Sequence, residues 1–418
     1  MKKNDAYLLP FILITSLFFL WGFAHNLDPI LIPHLKKSFT LTTTQATLVD
    51  SAVFIAYFIM ALPAGFIIKK FGYKMGIISG LLFFALGCFL FIPAANYQSY
   101  NYFLIALFII ACGLTVLETA ANPYAAALGN PATATLRLNL AQSFNGLAAA
   151  VAPVIGARII LTKGYSDVDL NAMTEAAKKI ALASEASSVK TPYAVLGFVL
   201  LVIAVLFAIS HLPKIMDTSG QSDSKHIFHT FRNKHLKWAV IAQFFYVGAQ
   251  VSVLSLFILY ATKSASITEV QAADYLGVGG IAFLIGRFSG TFFMKYIRPD
   301  RLLAIYAAIN ILLSIVAITA TGLITVYAVI GICFFMSIMF PTIFSLGIKD
   351  LKGDTAYGSS LIIMSIVGGA ILPRFFGFIA DGTGNIQLGY IIPLSCFVVV
   401  LFFGWRGHKI ADNKSEKI

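Results

Sequence analysis

Glu118 lies inside the apolar run 104–128, LIALFIIACGLTVLETAANPYAAAL, with no other charge in the run. A carboxylate at the centre of a bilayer helix costs roughly 2.5–3.5 kcal/mol on insertion scales, so it is seldom retained without a task. One reading is an ion or substrate site; the other is a neutral glutamic acid hydrogen-bonded to a neighbouring helix. Asp28 and Asp50 are the further candidate carboxylates in apolar surroundings, while Asp274 and Asp381 lie towards segment ends. Burial favours the neutral acid, and access to water or a cation reverses this. A carboxylate alternating between such environments can take up and release a coupling ion.

Side-chain amides form the second set. Asn122 follows Glu118 by four residues, Asn139, Gln142 and Asn145 are three apart, and Gln243 and Gln250 are seven apart. At 3.6 residues per turn each group shares a helix face. Asn26 precedes Asp28, and Asn310 is a lone amide. Primary amides donate and accept together, which suits a neutral polar ligand. They also bind membrane helices to one another, so a packing role for the 139–145 stripe stays open. Trp21, Tyr57, Phe144 and Tyr246 are candidate stacking rings, and His25 and His34 flank Asp28.

The elements that must hold these groups are membrane spans. Hydrophobic residues make up 59% of the 418 and charged residues 11%, against about 25% charged in soluble domains. Disorder and a soluble multidomain enzyme are excluded. Apolar stretches occur near 7–33, 47–68, 75–94, 102–122, 137–161, 192–212, 237–262, 270–294, 302–320, 324–347, 357–380 and 388–405. Each is long enough to cross ~30 Å of hydrocarbon, predicting an all-α membrane protein with twelve transmembrane helices.

The net charge of +12 follows topology. If both termini share a side, twenty of the thirty Lys and Arg fall there and seven opposite, while Arg158, Arg287 and Arg374 lie within helices. The basic side marks the cytoplasm, placing both termini there, and no nucleic-acid partner is implied. Lys2 and Lys3 before an apolar run imitate a signal peptide, but the run is long, carries Asp28 and has no small-residue cleavage site. Cys88, Cys112, Cys333 and Cys396 have no CxxC spacing and read as packing residues, so no metal or disulfide is expected.

Residues 213–236 are polar and basic and separate six segments (1–212) from six (237–418). Residues 162–191 form an outer excursion in which Glu175 and Lys179, spaced i,i+4, predict a short surface helix. The halves echo one another. GFIIKKFGYK from Gly65 answers GTFFMKYIRP from Gly290, Pro123 answers Pro341, and Pro153 answers Pro373. Three matches in order indicate a parallel duplication, which suits two bundles rocking about a central site.

The basic loops resemble degenerate forms of the loop signature of the major facilitator superfamily, with Lys69 where many members have an acid. WGFAHNLDPILIPHLK from Trp21, LETAANP from Leu117, RLNLAQSFN from Arg137, YVGAQ from Tyr246, GRFSGT from Gly286, MSIMFPTIFSLGIK from Met336 and YGSS from Tyr357 resemble the fucose permease family, which includes glucose/galactose permeases. The resemblance implies the major facilitator fold of two six-helix bundles and a sugar:cation symporter of the bacterial inner membrane. It assigns coupling to an acid of the first segment and to Glu118, and sugar binding to Gln142 and Asn145. Familiar members read Asn-Asp before Ile-Leu in the first segment; this chain reads Asp28-Pro29. The acid is therefore displaced by one residue, about 100° around a helix, unless Pro29 re-aims it. Asp50, where an amide or apolar residue is expected, is a candidate replacement.

A hexose or deoxyhexose (fucose, glucose, galactose or mannose class) needs amides and carboxylates for its hydroxyls and an aromatic face for its C–H surface. Asn26, Asn122, Gln142, Asn145, Gln243 and Gln250 supply the first, and Trp21 and Tyr246 the second. Arg374 is a candidate counter-charge for the acids, and Arg158 reads as a snorkelling residue. The coupling ion reads as H+ because Glu118 is isolated, with Na+ the alternative; no other cofactor is expected, and the chain reads as a monomer in lipid. No HExxH, GxSxG or Cys/His cluster supports an enzyme. A small-molecule exporter and a non-transporting sensor remain competing readings.

Overall fold

The computed structural model describes residues 5–25, 35, 38–39, 48–160, 173–210, 212–213 and 230–410. Asn26, Asp28, Pro29, His34, most of 213–236 and the start of the 162–191 excursion lie outside the described residues, as do the side chains of His25, Asp50, Arg158 and Lys179.

All the regular structure among these residues is helical. In chain order the helices are α1 (Asp5–His25), α2 (Leu48–Asn96), α3 (Tyr100–Ala127), α4 (Ala134–Ile160), α5 (Glu175–Ser188) and α6 (Lys190–Ile209). There follow α7 (Lys234–Ser255), α8 (Phe257–Ala265), α9 (Glu269–Phe293), α10 (Pro299–Thr319), α11 (Leu323–Met336), α12 (Met339–Gly347), α13 (Thr355–Met364), α14 (Gly368–Thr383) and α15 (Ile391–Phe402). Among the described residues, nine helical stretches are long and apolar enough to cross a membrane. Apolar side chains on their outer faces, such as Phe66, Phe198, Ile285 and Phe378, are exposed, as a lipid solvent requires.

The breaks have local causes. Within α2, Gly72 adopts φ +84° and ψ 169°, open to glycine without the cost a Cβ incurs; it separates two of the expected segments. Just beyond it, Lys74 Nζ donates to the carbonyls of Ala208 (2.7 Å) and Ser210 (3.0 Å). One basic residue of the first repeated loop thus satisfies carbonyls that the end of α6 leaves unpaired. The predicted surface helix is α5, whose Thr174 hydroxyl accepts from the Ala177 amide, an N-cap that fixes its start.

The chain groups into two compact units. One comprises 16–121 and 147–213; in its core α2 packs along α6, and Phe91 stacks on Tyr193 at 3.8 Å between ring centroids. The other comprises 1–15, 122–146 and 214–418, with α7 packed on α14 and α15, and α11 on α9 and α10. Tyr260 and Tyr390 are buried in it, 4.5 Å apart. Within this second unit a span expected as one helix is divided into α11 and α12. Residue 341 is proline, so the Ser337 carbonyl has no amide one turn on to bond.

Candidate functional site

Glu118 is buried on α3, 9% exposed. Its Oε1 accepts from the Tyr57 hydroxyl at 2.6 Å, at the short end of the range for O–H···O bonds. Tyr57, on α2, is buried, so its hydroxyl serves the acid. The neighbouring hydroxyls are spent on their own helix: Thr115 donates to Ala111 O and Thr119 to Thr115 O, both at 2.7 Å. Such back-bonding satisfies threonines in an apolar helix. Among the described residues no cation pairs with Glu118. Arg374, the expected counter-charge, is exposed on α14.

In the unit that holds α7 to α15, Gln142 Nε2 of α4 donates to Asn122 Oδ1 at 3.0 Å. Asn122 is fully buried, and its Nδ2 has no partner among the described residues. Asn139 donates to Thr135 O at 2.9 Å and to the Thr342 hydroxyl at 3.2 Å, leaving its own Oδ1 unpaired. The stripe therefore divides: Asn139 ties helices, Gln142 meets another candidate amide, and Asn145 is half-buried. Gln243 is fully buried with neither amide atom bonded to a described residue, and so is Asn310. An unpaired buried polar group costs about 1–3 kcal/mol. Asn122 and Gln243 thus hold donor and acceptor capacity that no described residue consumes.

The remaining candidates are placed as follows. Gln250 is half-buried on α7. Tyr246 is fully enclosed, and its hydroxyl donates to Met336 O at 3.1 Å. Trp21 is buried against Phe18, at 4.2 Å between ring centroids. Phe144 meets Phe288 edge-on at 6.4 Å. Asn26 and Asp28 lie outside the described residues, and Asp50 is described only by its backbone within α2.

Sequence reasoning passed over Arg287. It is buried on α9, 5% exposed. Its Nε donates to Ser337 O at 2.9 Å and its Nη1 to Gln142 O at 2.6 Å, with the guanidinium 4.7 Å from the Phe283 ring centre. Ser337 O is the carbonyl that Pro341 leaves free. Gly286 allows the approach: a Cβ there would collide with the Phe334 carbonyl oxygen and sit 2.6 Å from Ser337 Oγ. The signal was present in the chain, since an arginine within an apolar segment is as costly as an acid. Its partners, however, lie far away in sequence.

The Major Facilitator Superfamily model matches residues 11–354. The L-fucose-proton symporter of Escherichia coli (strain K12) is 43% identical over 419 residues, covering 98% of this chain and 96% of its own. The glucose/galactose transporter of Brucella abortus biovar 1 (strain 9-941) is 41% identical over 410 residues, with the same coverage, 98% and 96%. The crystal structure of a Major Facilitator Superfamily transporter, FucP, in the outward conformation superposes with a TM-score of 0.90 at 42% identity, over 97% of this chain and 100% of that one. With the fold matched and the apolar helices, the buried acid and the buried amides in place, the chain belongs to the Major Facilitator Superfamily, in the family of the bacterial fucose and glucose/galactose permeases.

Proposed function

We propose that this protein is a secondary active transporter of the bacterial inner membrane that imports a hexose or deoxyhexose by H+ symport through alternating access. Twelve spans in two six-helix bundles, 1–212 and 237–418, joined by the 213–236 connection and with both termini cytoplasmic, complete the reading. The acting unit is a monomer in lipid, and the coupling ion is its only cofactor. The observation that carries the proposal lies on α3, where a buried acid held by one hydroxyl and a buried amide with an unused donor stand four residues apart. Glu118 takes and releases the proton. Asn122, Gln142, Asn145 and Gln243 meet the sugar hydroxyls, with Asn26 and Gln250 beside them in the assignment and Trp21 and Tyr246 supplying apolar faces. The relatives named for fucose, glucose and galactose support this substrate class.

The second coupling role belongs either to Asp28 or to Asp50. If Asp28 carries it, Asp28→Asn abolishes accumulation and Asp50→Asn is mild; the reverse pattern assigns it to Asp50. The test of the whole reading is uptake into proteoliposomes of L-fucose, D-glucose, D-galactose and D-mannose, under proton and sodium gradients applied separately. Accumulation driven by the proton gradient is the expected result. Accumulation under sodium alone, with the proton gradient collapsed, would make Na+ the coupling ion. Drug efflux, or binding without flux, would replace symport with export or sensing.

A further inference from the structure

Arg287 is a buried cation, and among the described residues no acid pairs with it. A guanidinium withdrawn from water onto two backbone carbonyls recovers only part of its lost hydration. The pocket around it is nevertheless shaped for it. Pro341 frees Ser337 O, Gly286 lets α9 approach, and position 146, one turn beyond Gln142, is glycine. A Cβ at Gly146 would stand 3.3 Å from Arg287 Cδ and 3.5 Å from Nη1.

This contact is the end of a ladder. The Thr135 and Ser345 hydroxyls are 2.8 Å apart, Asn139 Nδ2 donates to Thr342 Oγ1 at 3.2 Å, and Arg287 joins Gln142 O to Ser337 O. Positions 135, 139 and 142 rise along one face of α4, while 345, 342 and 337 descend along α12 and the break before it. The three rungs therefore have antiparallel register, all inside one compact unit. The upper rung is attached to the backbone of Gln142, whose side chain holds Asn122.

We propose that Arg287 is a positioning residue for transport: it latches the Gln142 turn of α4 to the proline break before α12, and this latch with its two lower rungs must release as a unit in each cycle. The inference rests on the transporter reading, since α4 belongs to the first six segments and α12 to the second. Arginine suits the task because its planar fork reaches two carbonyls at once, whereas lysine offers a single point charge.

Two measurements test it. Thr135→Cys/Ser345→Cys, linked by a short bifunctional thiol reagent in proteoliposomes, is expected to stop L-fucose and D-galactose counterflow. An equivalent pair linked by a reagent cleavable with dithiothreitol should recover on cleavage. Unchanged exchange by fully linked protein would overturn the proposal. Separately, Thr342→Cys is labelled with a maleimide with and without Arg287→Gln, on protein whose thermal melt is unchanged. Labelling should accelerate about tenfold or more, the shift in open population from losing a charge-assisted hydrogen bond, and Arg287→Lys should fall between. Equal labelling in all three would overturn the latch. If Arg287→Gln does not fold, Gly146→Leu, which crowds the guanidinium from α4, is read in the same way. The labelling needs no sugar, so failure of the substrate assignment would leave it intact.

Discussion

Replacing Glu118 by glutamine separates coupling from binding. The acid has one described partner, the Tyr57 hydroxyl at 2.6 Å, and glutamine retains a carbonyl oxygen able to accept from it. The exchange keeps a single hydrogen bond, worth about 1 kcal/mol, and leaves no cavity. Folding and sugar binding should therefore survive Glu118→Gln. Proton turnover should not, because an amide does not titrate. With one H+ per sugar, a membrane potential of 100 mV supplies about 2.3 kcal/mol, enough for an inside-to-outside ratio of roughly fifty. The native protein in proteoliposomes should approach that ratio with radiolabelled L-fucose or D-galactose, whereas Glu118→Gln should stop at unity while exchanging sugar in counterflow. Accumulation by the variant above unity would remove Glu118 from the coupling step and return it to packing.

Three further outcomes follow from the same contacts. Gln142→Ala deprives Asn122 of its described bond and should weaken sugar affinity by roughly 1–3 kcal/mol; unchanged dissociation constants by calorimetry would assign this pair to helix packing. Gln243→Met replaces an amide whose two polar atoms are unpartnered, so the thermal midpoint should hold or rise while sugar binding falls, and a clear loss of stability would show that the amide is satisfied in the folded protein. Gly286→Ala drives a methyl against the Phe334 carbonyl and should cost about 1–3 kcal/mol of stability, seen as a lowered melt; a neutral result would mean that α9 does not pack so closely on the end of α11.

The proline pair shows where local pattern stops being informative. Pro123 and Pro341 occupy matching positions in the repeated halves, and each removes one helical amide. Yet α3 runs through Pro123 without interruption, whereas the chain breaks before Pro341. The difference lies in neighbours: Arg287 supplies a donor to the carbonyl freed by Pro341, and that arginine arrives from a helix fifty residues earlier in the chain. The amide stripe behaves alike. Its spacing marked one helix face, but whether Asn139 or Gln142 bonds to another helix depended on what faces each of them.

What the sequence by itself determined were quantities that add along the chain. Apolar runs set the helices, basic residues set the expected sidedness, and an acid in an apolar run marked Glu118, because insertion cost depends on composition over about twenty residues and little else. Ordered strings were enough for the family. Tertiary structure decided which polar groups are spent and which remain available. Tyr57 serves Glu118 across 61 positions, and Arg287 reaches Gln142 across 145. A hydrogen bond needs its atoms within about 3 Å, and separations of that size are set only when distant segments pack, which no local pattern encodes.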